Sequence, residues 1–332
     1  MMLRKTIAGL VAGATLSLTA QSASALDELT VAYFLEWPMP ALAAKVDGTY
    51  EAELGIPIKW RSFETGTAMS AAMASGDVHI SLSQGLPPFV VAASSGLPIE
   101  VVDVAVSYSE NDNCVFSDAL GVDETNTAEQ LAGKRVAVPL GTAAHYGFLR
   151  QMDHFGVDVA SLNVVDMPPP DGAIALAQGS VDFACGWGGG LSRMRESGKS
   201  LLTGAQKEEL GILVFDVTSV PKEFAEENPE VLAKFLKVTA ATNDRWNSGV
   251  GRKGMLEAIA KESGMDYDAA EKSIGTMTFP SRDEQLTAKW FGGGMQTFMM
   301  GVAEVFAESG SIDGTLDSYS DSANAVPLIA AK

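Results

Sequence analysis

Histidine and cysteine are scarce in this chain, with three of the first and two of the second among 332 residues. His79, His145 and His154 stand far apart, and no CxxC or HExxH spacing occurs, so neither a metal centre nor a metal-dependent cofactor is expected. Basic residues are also few: 23 Lys and Arg face 42 acids, for a formal net charge of −19. Nucleic-acid binders set clustered cations against phosphate, and this balance argues against them and against an anionic membrane surface. No G-x-S-x-G occurs, and no Ser, His and acid set is suggested by spacing, so a hydrolase is not expected. Past the N-terminus there is no second long apolar run of the roughly 20 residues that span a bilayer.

The N-terminus itself has a recognisable order. Arg4 and Lys5 precede an uncharged, largely apolar run from Thr6 to Ala20, and Ala23-Ser24-Ala25 follows. This is the arrangement of a secretory signal over residues 1–25. Its removal would leave 307 of 332 residues and take the charge from −19 to about −21, since Arg4 and Lys5 go with it. No cysteine follows the expected cleavage point, so the mature protein should be free in a periplasm, without a lipid anchor or direct membrane insertion. Cys114 and Cys185 would both enter that oxidising compartment, where an even pair invites a disulfide. Two buried free thiols are the alternative, and the sequence leaves both open.

Strand and helix signals alternate along the rest. Strands are expected at Glu28–Phe34, Pro57–Phe63, Val78–Leu82 and Ile99–Tyr108, with helices at Met39–Glu53, Thr67–Ser75 and Pro87–Ser95. Prolines in the first turn and Gly96 after the end suit the last of these helices. The pattern restarts at Cys114–Phe116 and continues through strands Arg135–Pro139, Leu162–Asp166 and Val181–Cys185. Helices Ala143–Phe155 and Asp171–Gln178 lie between them, and Leu213–Val220 is the final strand before a helical tail. Such alternation means α/β sheets with helices on both faces. Thr67–Ile80 and Asp171–Phe183 echo each other as a small-residue helix, a glycine stop and a strand carrying an acid, which fits two similar lobes.

Ordered motifs then narrow the family. Val31-Ala-Tyr33, Ala74-Ser-Gly-Asp-Val-His-Ile80, Val91-Ala-Ala-Ser94 and Pro98-Ile-Glu-Val101 are followed by Leu131-Ala-Gly-Lys-Arg-Val-Ala-Val-Pro139. His145-Tyr146, Val181-Asp182 with Trp187, Phe215-Asp216-Val217 and Phe224-Ala-Glu-Glu-Asn-Pro-Glu-Val231 complete the set. In this order they resemble the taurine-type periplasmic binding proteins of the aliphatic sulfonate and nitrate importers, a group that includes thiamine-precursor binders. The resemblance implies a type II periplasmic binding protein fold, two α/β lobes joined by crossover strands with the ligand cleft between them. Lobe 1 would hold residues 26–113 and 217–332, and lobe 2 residues 114–216. It also implies a monomer with no cofactor, serving a small-molecule ligand and an ABC permease with its ATPase rather than acting as an enzyme.

Ligands of such folds sit above strand C-termini and helix N-termini, so the turns there should supply the contacts. They offer Glu36 and Trp37, Gln84 and Leu86, Thr142 with His145 and Tyr146, then Trp187 and Asp216. Two departures from the family pattern matter: Leu86 stands where taurine binders carry serine before the proline, and Thr142-Ala143-Ala144 where they carry Ser-Thr-Thr. A sulfonate needs several donors on its oxygens, so backbone N–H groups near Leu86 and Ala143 would have to serve. Glu36, Trp37, Trp187 and Asp216 suggest an aromatic and carboxylate box for a cationic nitrogen. The alternative is that both tryptophans are packing residues, Glu36 is solvated and His145 is structural. Gly188-Gly189-Gly190 lacks the lysine and spacing of a phosphate loop and reads as a turn allowing close backbone approach. An amine-bearing solute follows, with taurine or a related aminosulfonate first and a quaternary ammonium or guanidinium solute second. A thiamine-pyrimidine synthase-like enzyme shares the fold, but it requires a cysteine-rich iron-binding motif that two well-separated cysteines do not make.

Overall fold

The computed structural model describes residues 26–332; the expected signal segment, 1–25, lies outside them. Ten strands form two five-stranded sheets. They are β1 Leu29–Phe34, β2 Ile58–Phe63, β3 Ile80–Gly85, β4 Ile99–Ser107, β5 Asp112–Ser117, β6 Arg135–Val138, β7 Asn163–Asp166, β8 Phe183–Trp187, β9 Gly198–Lys199 and β10 Phe215–Pro221. The first sheet runs β2-β1-β3-β10-β4 and the second β7-β6-β8-β5-β9. Neighbours β1, β2 and β3 are parallel, whereas β10 is antiparallel to both β3 and β4. In the second sheet β5 is the antiparallel insert beside β8 and β9. Each sheet thus receives one reversed strand at the point where the chain crosses between them. This is the topology of the type II periplasmic binding fold.

Burial follows from position in the sheet. The strands β1, β3 and β4 are buried on nearly every residue, as a sheet covered by helices on both faces requires. The edge strand β2 alternates and carries Lys59 and Arg61 outward. Helices follow the strands directly: Gly66–Ala74, Leu86–Ser94, Ala143–His154, Pro169–Ala177 and Gly188–Met194. Their N-termini therefore collect at the C-terminal ends of the parallel strands, between the sheets. The tail helix Gly294–Glu308 packs on both Leu86–Ser94 and Ala143–His154, one from each side of the cleft.

Several boundaries differ from the expectation, each for a local reason. The helix expected over Met39–Glu53 is two helices, Ala41–Val46 and Thr49–Leu54, because Gly48 takes the left-handed conformation at φ 66°. Strand β3 continues to Gly85 rather than ending at Leu82, since β10 pairs Asp216 with Gly85 and Val217 with Gln84. Strand β8 is displaced to Phe183–Trp187, which makes Trp187 its last residue. Strand β5 already lies in the second sheet from Asp112 onward, and Phe215 and Asp216 already lie in the first. Cys114 faces Cys185 across β5 and β8, with Cα atoms 3.9 Å apart, and the two form a disulfide. That decides the alternative the sequence left open. Among the described residues, no helix is long and apolar enough to cross a membrane.

Candidate functional site

A buried carboxylate anchors the site. Asp216 is 2% exposed on β10, between β3 and β4. Its Oδ2 accepts a hydrogen bond from Ser83 Oγ at 2.6 Å, and its Oδ1 one from the Tyr108 hydroxyl at 2.6 Å. Trp37 Nε1 in turn donates to Ser83 Oγ at 2.9 Å, and its ring meets Tyr108 edge-on with centroids 4.7 Å apart. Ser83 adopts φ 60°, a conformation uncommon for a residue with a side chain. Burial pushes the Asp216 carboxyl up to about 7, aided by the charge of Asp112 and opposed by the Ser83 and Tyr108 hydrogen bonds. Among the described residues Asp216 has no salt-bridge partner. A buried carboxylate held by neutral donors and lacking a cation is costly to ionise. It is a place where a cation is wanted.

Asp216 lines a small cavity of about 20 Å³. Trp37, Tyr108, Phe34 and Trp187 wall the same end, with Phe34 and Trp187 tilted together at 6.1 Å. Helix starts line it as well. Gly66 opens Gly66–Ala74 behind the cap Thr65, and Ala143 opens the 12-residue helix Ala143–His154 behind the cap Thr142. The first N–H groups of a helix have no intrahelical acceptor, and together with the helix dipole they favour an anion. The lining therefore combines a carboxylate and aromatic faces with helix N-termini, and the space between them is about that of one water.

Of the nine residues the sequence nominated, four line this cavity or its mouth through usable side chains: Trp37, Thr142, Trp187 and Asp216. Glu36 is corrected from an amine ligand to a partner of Arg193, whose guanidinium donates at 2.6 and 2.9 Å to its two oxygens. Gln84 does not face the cavity. Its amide is spent inside the first sheet, donating to the Gly66 carbonyl at 2.7 Å and to Ser70 Oγ at 2.5 Å, while Ser219 Oγ donates to it at 2.7 Å. Leu86 packs in the core, and Pro87 and Pro88 after it have no N–H, so that helix start is a poor anion site. His145 lies beneath its helix with Nδ1 accepting from the Gly141 N–H at 3.1 Å and its ring stacked on Phe306 at 5.3 Å. Burial pushes it down to about 4, so it is a neutral structural residue. Tyr146 packs edge-on against Phe298 at 5.8 Å and its hydroxyl accepts from Arg150, away from the cavity.

Even Thr142 works differently from the expectation. Its hydroxyl donates to the Pro139 carbonyl at 2.6 Å and accepts from the His145 N–H at 3.4 Å, so it shapes the helix start rather than offering a proton to a ligand. Sequence reading missed Ser83, Tyr108, Phe34 and Arg193. Tyr108 carried the one legible signal, as the residue at the end of a strand expected to lead into the crossover. The positive φ of Ser83 had none.

The family model described as NMT1/THI5 like matches residues 39–246. The taurine-binding periplasmic protein of Escherichia coli (strain K12) is 31% identical over 318 residues, covering 92% of this chain and 94% of that protein. A putative aliphatic sulfonates-binding protein of Bacillus subtilis (strain 168) is 25% identical over 204 residues, 60% of this chain and 59% of that protein. Among solved structures, the alkanesulfonate-binding protein SsuA from Xanthomonas axonopodis pv. citri, bound to MOPS, superposes with a TM-score of 0.71. It is 19% identical and the match covers 86% of this chain and 94% of that one, a likeness of fold.

Proposed function

The chain belongs to the NMT1/THI5-like family, and from that premise we propose that it is the solute-binding component of an ABC importer that captures a small amine-bearing solute, taurine or a related aminosulfonate first. The observation that carries this reading is the uncompensated Asp216 carboxylate facing two helix N-termini across a small cavity. A zwitterion completes both ends at once: its ammonium supplies the cation Asp216 lacks, and its anionic group meets the N–H groups at Gly66 and Ala143. The indole faces of Trp37 and Trp187 add about 0.5–2 kcal/mol of attraction for the ammonium. A purely cationic solute would satisfy Asp216 and leave the helix starts unused, and a plain alkanesulfonate would do the reverse. The names of the two curated relatives point the same way.

The two sheets would be the cores of the two lobes expected at 26–113 with 217–332 and 114–216, with β5 from Asp112 and β10 from Phe215 each moving a boundary by two residues. Solute held by one lobe and contacted by the other favours the closed arrangement by its differential affinity. The protein works as a periplasmic monomer delivering to a permease and its ATPase, and it is not an enzyme. Calorimetry with taurine, ethanesulfonate and choline tests the reading. Taurine should bind at least tenfold more tightly than either. Equal affinity for ethanesulfonate would remove the amine from the argument, and no heat with any of the three would reject the ligand class.

A further inference from the structure

Outside the inner cavity, the cleft widens into a second chamber, and the two spaces share Phe34 and Trp187 as walls. Glu36 and Arg193 line the outer chamber alone. They meet there as a two-pronged ion pair between the loop after β1 in the first sheet and the helix Gly188–Met194 behind β8 in the second. The backbones close on each other at the same place, where the Gly189 N–H reaches the Glu36 carbonyl at 3.4 Å and Glu36 sits at φ 54°. A Cβ on Gly189 would stand 2.7 Å from Glu36 Cδ. On Gly188 it would stand 2.6 Å from the Glu36 carbonyl oxygen and 3.3 Å from Trp37 Cε3. These two glycines are what lets the second sheet's helix come this near. The contact with Trp37, which donates to Ser83 beside Asp216, places the junction next to the carboxylate.

We propose that Glu36, Arg193 and the Gly188-Gly189 approach form a gate across the amine end of the cleft, and that this gate makes the protein selective for solutes without a substituent on the nitrogen. The proposal rests on the binding function above and adds a specificity element to it. A group attached to the amine must leave the inner cavity past Phe34 and Trp187, and there it meets the Glu36–Arg193 pair. Neither residue touches the bound solute. The gate acts by occupying the exit, and the pair's fixed planar geometry holds Gly189 against Glu36.

Two measurements on the mature chain test this, one without any ligand. In hydrogen exchange of the solute-free protein, Arg193→Ala should speed exchange in the peptide containing Gly188 and Gly189 by several-fold relative to wild type, because the amide contact to Glu36 is released. In calorimetry, wild type should bind taurine and reject N-cyclohexyltaurine. The affinity ratio of N-cyclohexyltaurine to taurine should rise at least tenfold in Arg193→Ala and in Glu36→Gln. Unchanged exchange overturns the gate whatever the protein binds. Faster exchange with an unchanged ratio overturns its role in specificity. If taurine gives no signal with wild type while exchange responds as expected, the ligand reading fails and the gate as a closure contact stands.

Discussion

Replacing Asp216 with asparagine removes the charge from a carboxyl that is 2% exposed and whose pKa stands at about 7 in place of 3.8. A carboxyl raised by folding contributes stability that is fully present below its unfolded value, near 3.8, and lost as pH climbs through about 7. That interval spans about three pH units, and at about 1.4 kcal/mol each ionised Asp216 destabilises the solute-free protein by roughly 4 kcal/mol at pH 8. Asparagine keeps an acceptor for one of Ser83 and Tyr108 but turns an NH₂ toward the other hydroxyl, a loss of about 1 kcal/mol. Solute-free Asp216→Asn should therefore be more stable than wild type by roughly 3 kcal/mol at pH 8, and by well under 1 kcal/mol at pH 5. Urea denaturation at the two pH values reads both numbers. The comparison with wild type cancels titrating groups that do not interact with Asp216, such as His145, which is lowered to about 4, whereas Asp112, raised to about 6 by burial, is coupled to Asp216 through its charge and shifts with it. Taurine affinity should fall by about 10- to 100-fold in the variant, the worth of one charge-assisted bond. In wild type it should weaken about 100-fold between pH 7 and pH 5 as the carboxyl takes up its proton. An Asp216→Asn protein less stable than wild type at pH 8, or a wild-type affinity flat from pH 5 to 8, would refute the account of Asp216 as a strained, cation-seeking carboxylate.

Three further outcomes follow from the geometry. The Cys114–Cys185 bridge spans 71 residues of sequence, so chain-entropy reasoning gives about 4 kcal/mol of stabilisation; the double serine variant should lower the urea midpoint accordingly, and an unchanged midpoint would show that β5 and β8 need no clamp. Thr142→Val should cost about 1 kcal/mol of stability through the lost helix cap and weaken taurine by misplacing the Ala143 N–H, whereas Thr142→Ser should do neither; equal calorimetric affinity for both variants would remove that helix start from the site. Gly189→Ala brings a methyl to 2.7 Å from Glu36 Cδ and should raise the radius of gyration of the taurine-saturated protein in X-ray scattering toward the solute-free value, with no change counting against lobe contact at this point.

Much of the fold was legible because its signals are local. Apolar β-branched runs, glycine stops and prolines at helix starts placed most strands, and four of the five helices given bounds, to within two residues. The errors fell where a partner strand decides the end, as at β3, which β10 extends to Gly85, and at β8, which β5 and β6 shift to Trp187. The site was legible by position and less so by role. Reading the turns after strands found Trp37, Thr142, Trp187 and Asp216, since topology alone brings those turns together. It could not assign Glu36, because its partner Arg193 is 157 residues away. Nor could it tell that Gln84 turns into the sheet, because that depends on which face of β3 each residue presents. The disulfide stayed open for the same reason: register, which sets Cys114 opposite Cys185, is fixed by pairing between distant strands.

The hydroxyls that the sequence lacks relative to other taurine-type binders find their explanation in the backbone. Thr142, the one hydroxyl of that run that remains, has given its proton to Pro139, so in the proposed complex the anion would rest on N–H groups at Gly66 and Ala143, which only a proline there would remove. Side-chain chemistry is concentrated at the other end, where Ser83 and Glu36 are the two described non-glycine residues with positive φ. Such conformations cost on the order of 1 kcal/mol or more and persist when their surroundings hold them. Here each has an identifiable hold. Ser83 is fixed between Trp37 and Asp216, and Glu36 between the Ser263 carbonyl, which accepts from its N–H at 2.7 Å, and Arg193. One strained residue thus orients the carboxylate that attracts the ammonium, and the other holds the sheets together beside it. In the proposed complex a solute with an amine at one end and an acid at the other would engage Asp216 beside Ser83 and leave Glu36, in the loop after β1, in reach of Arg193, which would couple recognition to closure.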